Sequence, residues 1–254
     1  MSSTIIDSDF GPAVAVQPAP EAASILLVCE HASRRLPESL GKLGLDARLL
    51  DSHIAWDPGA LGVATALARK LKAPLVHALI SRLVYDCNRP PQAASAIVER
   101  SEIHDVPGNT GLSGAERQQR IEGVYHPFRD RLAGEIAARR DHLRLLVTVH
   151  SFAPVYQGIS RDVELGILHG SDARFARAMA ASAPPRPARD IRLNEPYSAA
   201  DGVAHTLDLH GVENGLLNVM LEIRNDLIAT PDQQHAWAAW LAPWITDTLE
   251  RIAP

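Results

Sequence analysis

Apolar residues along this chain follow two rhythms. Short unbroken runs alternate with stretches in which apolar positions recur every three or four residues. Leu26-Leu27-Val28-Cys29-Glu30 runs into His31, Leu145-Leu146-Val147-Thr148-Val149 into His150, and Leu217-Asn218-Val219-Met220-Leu221 into Glu222. Runs of this length and β-branched content predict buried strands. Between the first run and the next, Asp57-Pro58 predicts a helix start, with Asp as N-cap and Pro at the first position. Ala60, Leu61, Ala64, Leu67, Ala68 and Leu71 then follow at helical spacing, and Ala73-Pro74 ends the helix. Leu75 to Ile80 predicts another strand. Strand, helix, strand in this order favours a right-handed crossover and parallel pairing.

The same reading extends down the chain. Residues 86 to 112 carry five Pro or Gly and no periodicity, which predicts a long functional loop. Ser113-Gly114-Ala115-Glu116 is a capping-box pattern. It precedes a stripe at Ile121, Val124, Tyr125, Phe128, Leu132 and Ile136 that Pro127 is expected to kink. Val163 to Leu168 predicts a strand, and Ser171 the cap of a helix to Ala181. Pro184, Pro185 and Pro187 interrupt the chain. Thr230-Pro231 opens a last helix whose stripe of Trp237, Trp240, Leu241, Trp244, Ile245 and Leu249 reads as core or as a subunit contact. Residues 1–22, with Pro12, Pro18 and Pro20, read as a flexible tail. Residues 23–254 read as a single α/β domain.

Composition narrows the function classes. The 254 residues are 46% apolar, enough for a sizeable core. A net charge of -5 with scattered Lys and Arg argues against nucleic acid as partner. Two cysteines, Cys29 and Cys87, provide no disulfide framework and suit a reducing compartment. No stretch approaches the ~20 apolar residues of a membrane helix, and no signal peptide is seen. The expectation is a cytoplasmic protein, without a membrane partner, of open oligomeric state.

The ends of the three runs carry candidate chemistry. One histidine at a strand end is more often a hydrogen-bonded core residue than a ligand. Two at equivalent strand ends point to a metal, because ligands bind beyond the carboxyl ends of parallel strands and imidazole is a common zinc ligand. A third ligand is needed. Asp57 is the candidate, in competition with its helix-capping role; Glu30, His53 and Cys29 are the alternatives. Glu222 ends an apolar strand, where a carboxylate is costly unless paired or used. It is a candidate general base, or else a buried partner of Arg224. Arg82, Asn88 and Arg89 follow the fourth strand. Arg suits bidentate recognition of carboxylate, and no glycine-rich phosphate loop, Walker sequence or GxSxG accompanies them.

Cys29-Glu30-His31-Ala32-Ser33, Ser81 to Pro90, Thr148-Val149-His150-Ser151-Phe152 and Leu221 to Leu227 together resemble the N-formylglutamate amidohydrolase family. Arg161 to Leu168 and Asn194-Glu195-Pro196-Tyr197-Ser198 are similar to its pattern as well. The resemblance covers residues 24–250. It implies a three-layer α/β/α fold with a mixed, mostly parallel sheet, phosphorylase/hydrolase-like and similar to zinc carboxypeptidases and aspartoacylases. It also implies a zinc hydrolase, other divalent metals being possible, that serves amino-acid catabolism by cleaving the linear amide of a small anionic N-acyl amino acid. N-formyl-L-glutamate, giving formate and glutamate, is the reference substrate. In the carboxypeptidase-like relatives a carboxylate three residues after the first His binds metal. Position 34 here is Arg, so the implied ligand set becomes His31, Asp57 and His150, with Asp57 as substitute. Glu222 is the implied base and Arg82 the oxyanion stabiliser. Asn88 and Arg89 would hold the α-carboxylate, and Arg161 and Arg224 the side-chain carboxylate. Many members have Pro-His-Ser-Gly where this chain has Glu30-His31-Ala32-Ser33, which leaves other N-acyl amino acids and short peptides as alternative substrates. A non-catalytic binder of an acidic metabolite is the reading from another class.

Overall fold

A computed structural model describes residues 10–184 and 189–252. Seven strands form one mixed sheet: β1 (Val14–Gln17), β2 (Ile25–Cys29), β3 (Leu75–Ala78), β6 (Leu145–Phe152), β9 (Leu165–Leu168), β10 (Ile191–Leu193) and β11 (Leu217–Arg224). Two small hairpins lie outside it, β4 (Arg100–Ser101) with β5 (His104–Asp105) and β7 (Val155–Tyr156) with β8 (Ile159–Ser160). The order across the sheet is β1-β3-β2-β6-β11-β9-β10. Strands β3, β2, β6 and β11 run parallel to one another at its centre. Strand β1 on one side and the pair β9 and β10 on the other run against them.

Strand alternation divides the core into two layers. Leu27, Leu145, Val147, Val219 and Leu221 face α2 (Ala60–Leu71), α5 (Arg174–Ala181) and α6 (Pro231–Ile252). Leu26, Val28, Val76 and Leu146 face α4 (His126–Ala138) and the turn before it. Each fully buried Leu or Val contributes about 1.5–3 kcal/mol of transfer free energy, so the two layers together hold the sheet flat against its helices. Trp237, Trp240 and Trp244 are buried on the first of these layers. The short α1 (Ala47–Asp51) and α3 (Gly114–Arg120) lie in the connections. Ser113 and Glu116 make the expected reciprocal cap on α3.

Several local expectations change in the structure. Part of the stretch read as tail is built into the sheet: Val14–Gln17 pairs with β3 as an edge strand. Arg35 anchors its approach by donating to the carbonyls of Phe10 and Pro12, and Phe10 is buried against Gly123. Four residues between prolines are too few for a periodicity to show. Residues 1–9 lie outside the described residues, as do Pro185 and Pro187. Strands β6 and β11 continue two residues past His150 and Glu222, so both side chains sit within strands near their carboxyl ends. Pro127 is preceded by a π-helical turn, Ile121–Tyr125, in which the His126 N–H donates to Ile121. Pro127 cannot donate to Gly123, and the wider turn absorbs the missing bond. Ser171 does not cap α5; it donates to Asp208 instead, and α5 starts after Ala173.

The start of α2 matters most. Asp57 does not cap it. Gly59 does, at φ 82°, and a Cβ there would lie 2.3 Å from the Ile228 carbonyl oxygen. Glycine is required on both counts. The tight turn it permits releases the Asp57 carboxylate from the helix end.

Candidate active site

The carboxyl ends of β2, β6 and β11 lie side by side, and each delivers one reactive group to the floor of a 420 Å³ cavity. His150 and Glu222 are cross-strand partners in register, so their side chains share a face. His31 follows β2 by two residues, and its carbonyl accepts the Asp57 backbone N–H at 2.9 Å. That bond fixes Asp57 beside it. His31 Nδ1, His150 Nδ1 and Asp57 Oδ2 then form a triangle with sides of 3.2, 2.9 and 3.3 Å. All three residues are buried.

The outer nitrogens of both imidazoles face carboxylates. His31 Nε2 lies 2.7 Å from Asp86 Oδ1, and His150 Nε2 lies 3.1 Å from Glu30 Oε2. Carboxylates are acceptors, so a neutral imidazole that keeps its proton on Nε2, facing them, turns the lone pair of Nδ1 inward. Two ring nitrogens and a carboxylate oxygen therefore converge on one point. Such an arrangement is repulsive until a proton or a metal ion occupies it. Tetrahedral zinc, with bonds of about 2.0–2.1 Å, spaces its ligand atoms about 3.3 Å apart, close to the observed triangle. Carboxylate-backed histidines are the usual support of such ligands. His31, Asp57 and His150 fit a divalent metal; Cys29 is core and His53 pairs with Glu102 at 3.0 Å.

The electrostatics follow from this crowding. Burial opposes charge on His150, but the Glu30 and Asp57 carboxylates outweigh it and hold its pKa well above the ordinary value. Burial and Arg82 likewise oppose charge on His31, and Asp86 and Asp57 still raise it. Burial would raise Asp57, Asp86 and Glu30, yet the histidines, with Arg82 at Asp86, pull all three down. The carboxylates that make the imidazoles hold a proton make them hold a metal cation equally well. Glu222 behaves oppositely. Burial, aided by the Asp57 charge, pushes its carboxyl up to about 7. Its Oε2 has no hydrogen-bond partner among the described residues.

The remaining expected site residues divide. Arg82 lies in the cavity wall and bridges two carboxylates, Nη1 to Asp57 at 3.3 Å and Nη2 to Asp86 at 2.9 Å. Asn88 lines the cavity, but its side chain is tied to the 203–206 backbone, donating to Val203 and accepting from Thr206. Arg89 donates to the carbonyls of Asn88, Asp201 and Gly202 at the rim. Arg161 lines the cavity in an aromatic clamp, 4.5 Å from the Tyr156 ring centre and 4.8 Å from that of Tyr197. Arg224 does not line it. Its guanidinium is taken by Asp226 and by the carbonyls of Arg161 and Asp162, so it braces the Arg161 segment.

Two supporting groups were not assigned roles from the sequence. Asp86 stands inside the Arg82–Arg89 segment, and a carboxylate amid so much Arg was the available signal. Glu30 was weighed as a ligand. Strand alternation turns it away from His31, as expected, and thereby toward His150.

A family profile described as N-formylglutamate amidohydrolase matches residues 23–229. The chain belongs to the N-formylglutamate amidohydrolase family. A crystal structure of a gene product from Agrobacterium tumefaciens superposes with a TM-score of 0.91 at 50% identity, covering 96% of this chain and 97% of that one. The N-formylglutamate amidohydrolase from Ralstonia eutropha JMP134 superposes with a TM-score of 0.61 at 16% identity, covering 94% and 99%. At that identity the likeness is one of fold. No curated protein matches the chain. Membership of this family supports an amidohydrolase-like hydrolase. Among the described residues no helix is long and apolar enough to cross a membrane.

Proposed function

We propose that this protein is a metal-dependent hydrolase of N-acylated acidic amino acids, with N-formyl-L-glutamate as the reference substrate. The observation that carries the reading is the convergence of His31 Nδ1, His150 Nδ1 and Asp57 Oδ2, backed by Asp86 and Glu30, in one cavity with Glu222, whose Oε2 has no hydrogen-bond partner among the described residues. A divalent metal, zinc by ligand type and spacing, supplies Lewis acidity there and lowers the pKa of water.

The chain's own residues perform the rest. Glu222, poised near neutrality by burial, accepts the proton of the attacking water and delivers it to the leaving amine. Arg82 keeps Asp57 and Asp86 ionised and oriented. Arg161, with no carboxylate partner among the described residues, offers its remaining N–H groups to a substrate carboxylate, and Arg89 offers a second cation at the rim. Asn88 fixes the wall between them. Closure of the floor by buried side chains restricts water to the reacting face.

The test is formate release from N-formyl-L-glutamate by protein stripped of metal and then titrated with zinc. Turnover that returns at one metal per chain, and that Asp57→Ala abolishes together with metal retention, is the expected outcome. Undiminished turnover in stripped protein sinks the metal role. A panel of formyl, acetyl and succinyl derivatives of glutamate and aspartate sets the acyl and amino-acid preference.

A further inference from the structure

Attack on the amide makes its oxygen negative, and a donor already aimed at that oxygen lowers the barrier. Arg82, the residue expected from sequence to supply it, has each terminal nitrogen on a carboxylate, Nη1 on Asp57 and Nη2 on Asp86. Its charge is shared between these two acids before any substrate arrives.

Tyr197 is placed differently. It follows the β10 edge strand and lines the same cavity as His150 and Glu222. Its hydroxyl oxygen accepts a hydrogen bond of 3.0 Å from Arg161 Nη1, and its ring lies 4.8 Å from the same guanidinium. With its lone pair engaged by a cation, the phenol has one group left to use, its O–H. A cationic donor behind a hydroxyl polarises it and strengthens the bond it donates onward. Phe152 and Tyr156 pack against the same guanidinium, which fixes Arg161 behind the Tyr197 hydroxyl before substrate binds. Tyr197, Glu222 and Arg82 all line this one cavity. Burial, with Glu222, keeps the phenol protonated well above neutral pH.

We propose that Tyr197 is a further catalytic residue, the side-chain donor to the oxyanion of the attacked acyl group, with Arg161 as the cation that polarises it. The assignment rests on the amidohydrolase reading above. No proton changes hands at Tyr197. Its O–H bond stays intact while its hydrogen bond to the acyl oxygen shortens as negative charge develops there, and preorganised donors of this kind act mainly in the transition state.

Tyr197→Phe removes the hydroxyl and keeps the ring against Arg161. The expected result is a fall in kcat of about 10²- to 10³-fold, the usual cost of one oxyanion donor, with KM within threefold. Binding gives a second readout. An H-phosphinate analogue, in which H–P(O)O⁻ replaces the attacked formyl carbon of N-formyl-L-glutamate, is expected to lose about 10²-fold in affinity, while L-glutamate binds the variant as it binds the wild type. Metal content and far-ultraviolet circular dichroism are expected to match the wild type. A raised KM at unchanged kcat, or equal losses for the analogue and glutamate, would show a role in ground-state binding and overturn the proposal. Should wild-type protein hydrolyse none of the N-acyl amino acids, the functional reading itself fails. Turnover by wild type with turnover undiminished in Tyr197→Phe removes only the tyrosine.

Discussion

The floor and the rim of the cavity are built on opposite principles. The floor comes from the carboxyl ends of three adjacent parallel strands. Its groups are buried: His31 lies on Asp86, His150 on Glu30 and Asp57 on both histidines and Arg82, while Glu222 Oε2 has no hydrogen-bond partner among the described residues. The rim comes from loops and from an edge-strand connection. Arg89 leans on backbone carbonyls, Arg161 on aromatic faces, and Glu102 accepts from the Gln157 N–H and contacts His53 to join the two small hairpins. Burial among charges creates reactivity at the floor, because each group's charge state depends on its neighbours. The rim gains selectivity from cations left accessible to a ligand. A substitution in the floor is therefore expected to alter chemistry or metal retention, and one at the rim cation Arg89 to alter affinity.

The sharpest way to break this comparison is Glu222→Gln. A floor residue acting as base predicts a loss of about 10²- to 10⁴-fold in kcat with metal retained and KM little changed. Near-normal turnover would reduce Glu222 to a buried acid. The same assignment sets a sign for pH: the base works ionised, so kcat/KM falls as pH drops through its pKa. That pKa is about 7 in the metal-free floor, and a bound cation moves the limb lower.

Next are Asp86→Asn and Glu30→Gln, which remove the carboxylates behind the two histidines without touching the triangle. Metal affinity is expected to fall about 10- to 100-fold in each, measured by competition with a chelator. Retention equal to wild type would mean that the triangle needs no support. The rim test is smaller. Arg89→Lys keeps the charge and loses the fork, and about a tenfold rise in KM at constant kcat is expected, the effect of one charge-assisted hydrogen bond of about 1.5 kcal/mol. A fall in kcat instead would move Arg89 into the floor.

The smallest effect tests the scaffold apart from both regions. Burial, aided by His205, depresses the pKa of His210 to about 4. The unfolded chain takes up that proton near pH 6.5, so the folded state gains stability above that pH and loses it as pH falls toward 4. His210→Gln is expected to remove about 1–3 kcal/mol of this pH dependence, read as a flatter melting temperature between pH 7.5 and 4.5, with turnover at pH 7.5 unchanged.

Much of the floor was legible in the chain because strand periodicity is local. Runs ending at His31, His150 and Glu222 identify parallel strands, and parallel strands bring their carboxyl ends to one edge. Asp57 was harder to read. Asp-Pro before an apolar stripe is a good helix cap, and only the left-handed Gly59, packed against Ile228, moves the cap two residues on. Arg224 shows the reverse error. Its place in a site-like segment suggested a substrate contact, yet the carbonyls of residues 161 and 162, sixty residues away in sequence, occupy it.

The sequence by itself determined the α/β class, the family, and the two histidines and the carboxylate that the central strands present. Those follow from patterns a few residues long and from short motifs in a set order. The tertiary structure decided which carboxylate completes the triangle, which acids face the imidazoles, that Arg82 bridges Asp57 and Asp86, and that the Tyr197 hydroxyl accepts from Arg161 in the same cavity. Each of these depends on side chains separated by tens of residues and brought within about 3 Å only when the sheet and its loops are assembled. Hydrogen bonds and charge effects decay over that distance, so no spacing along the chain encodes them.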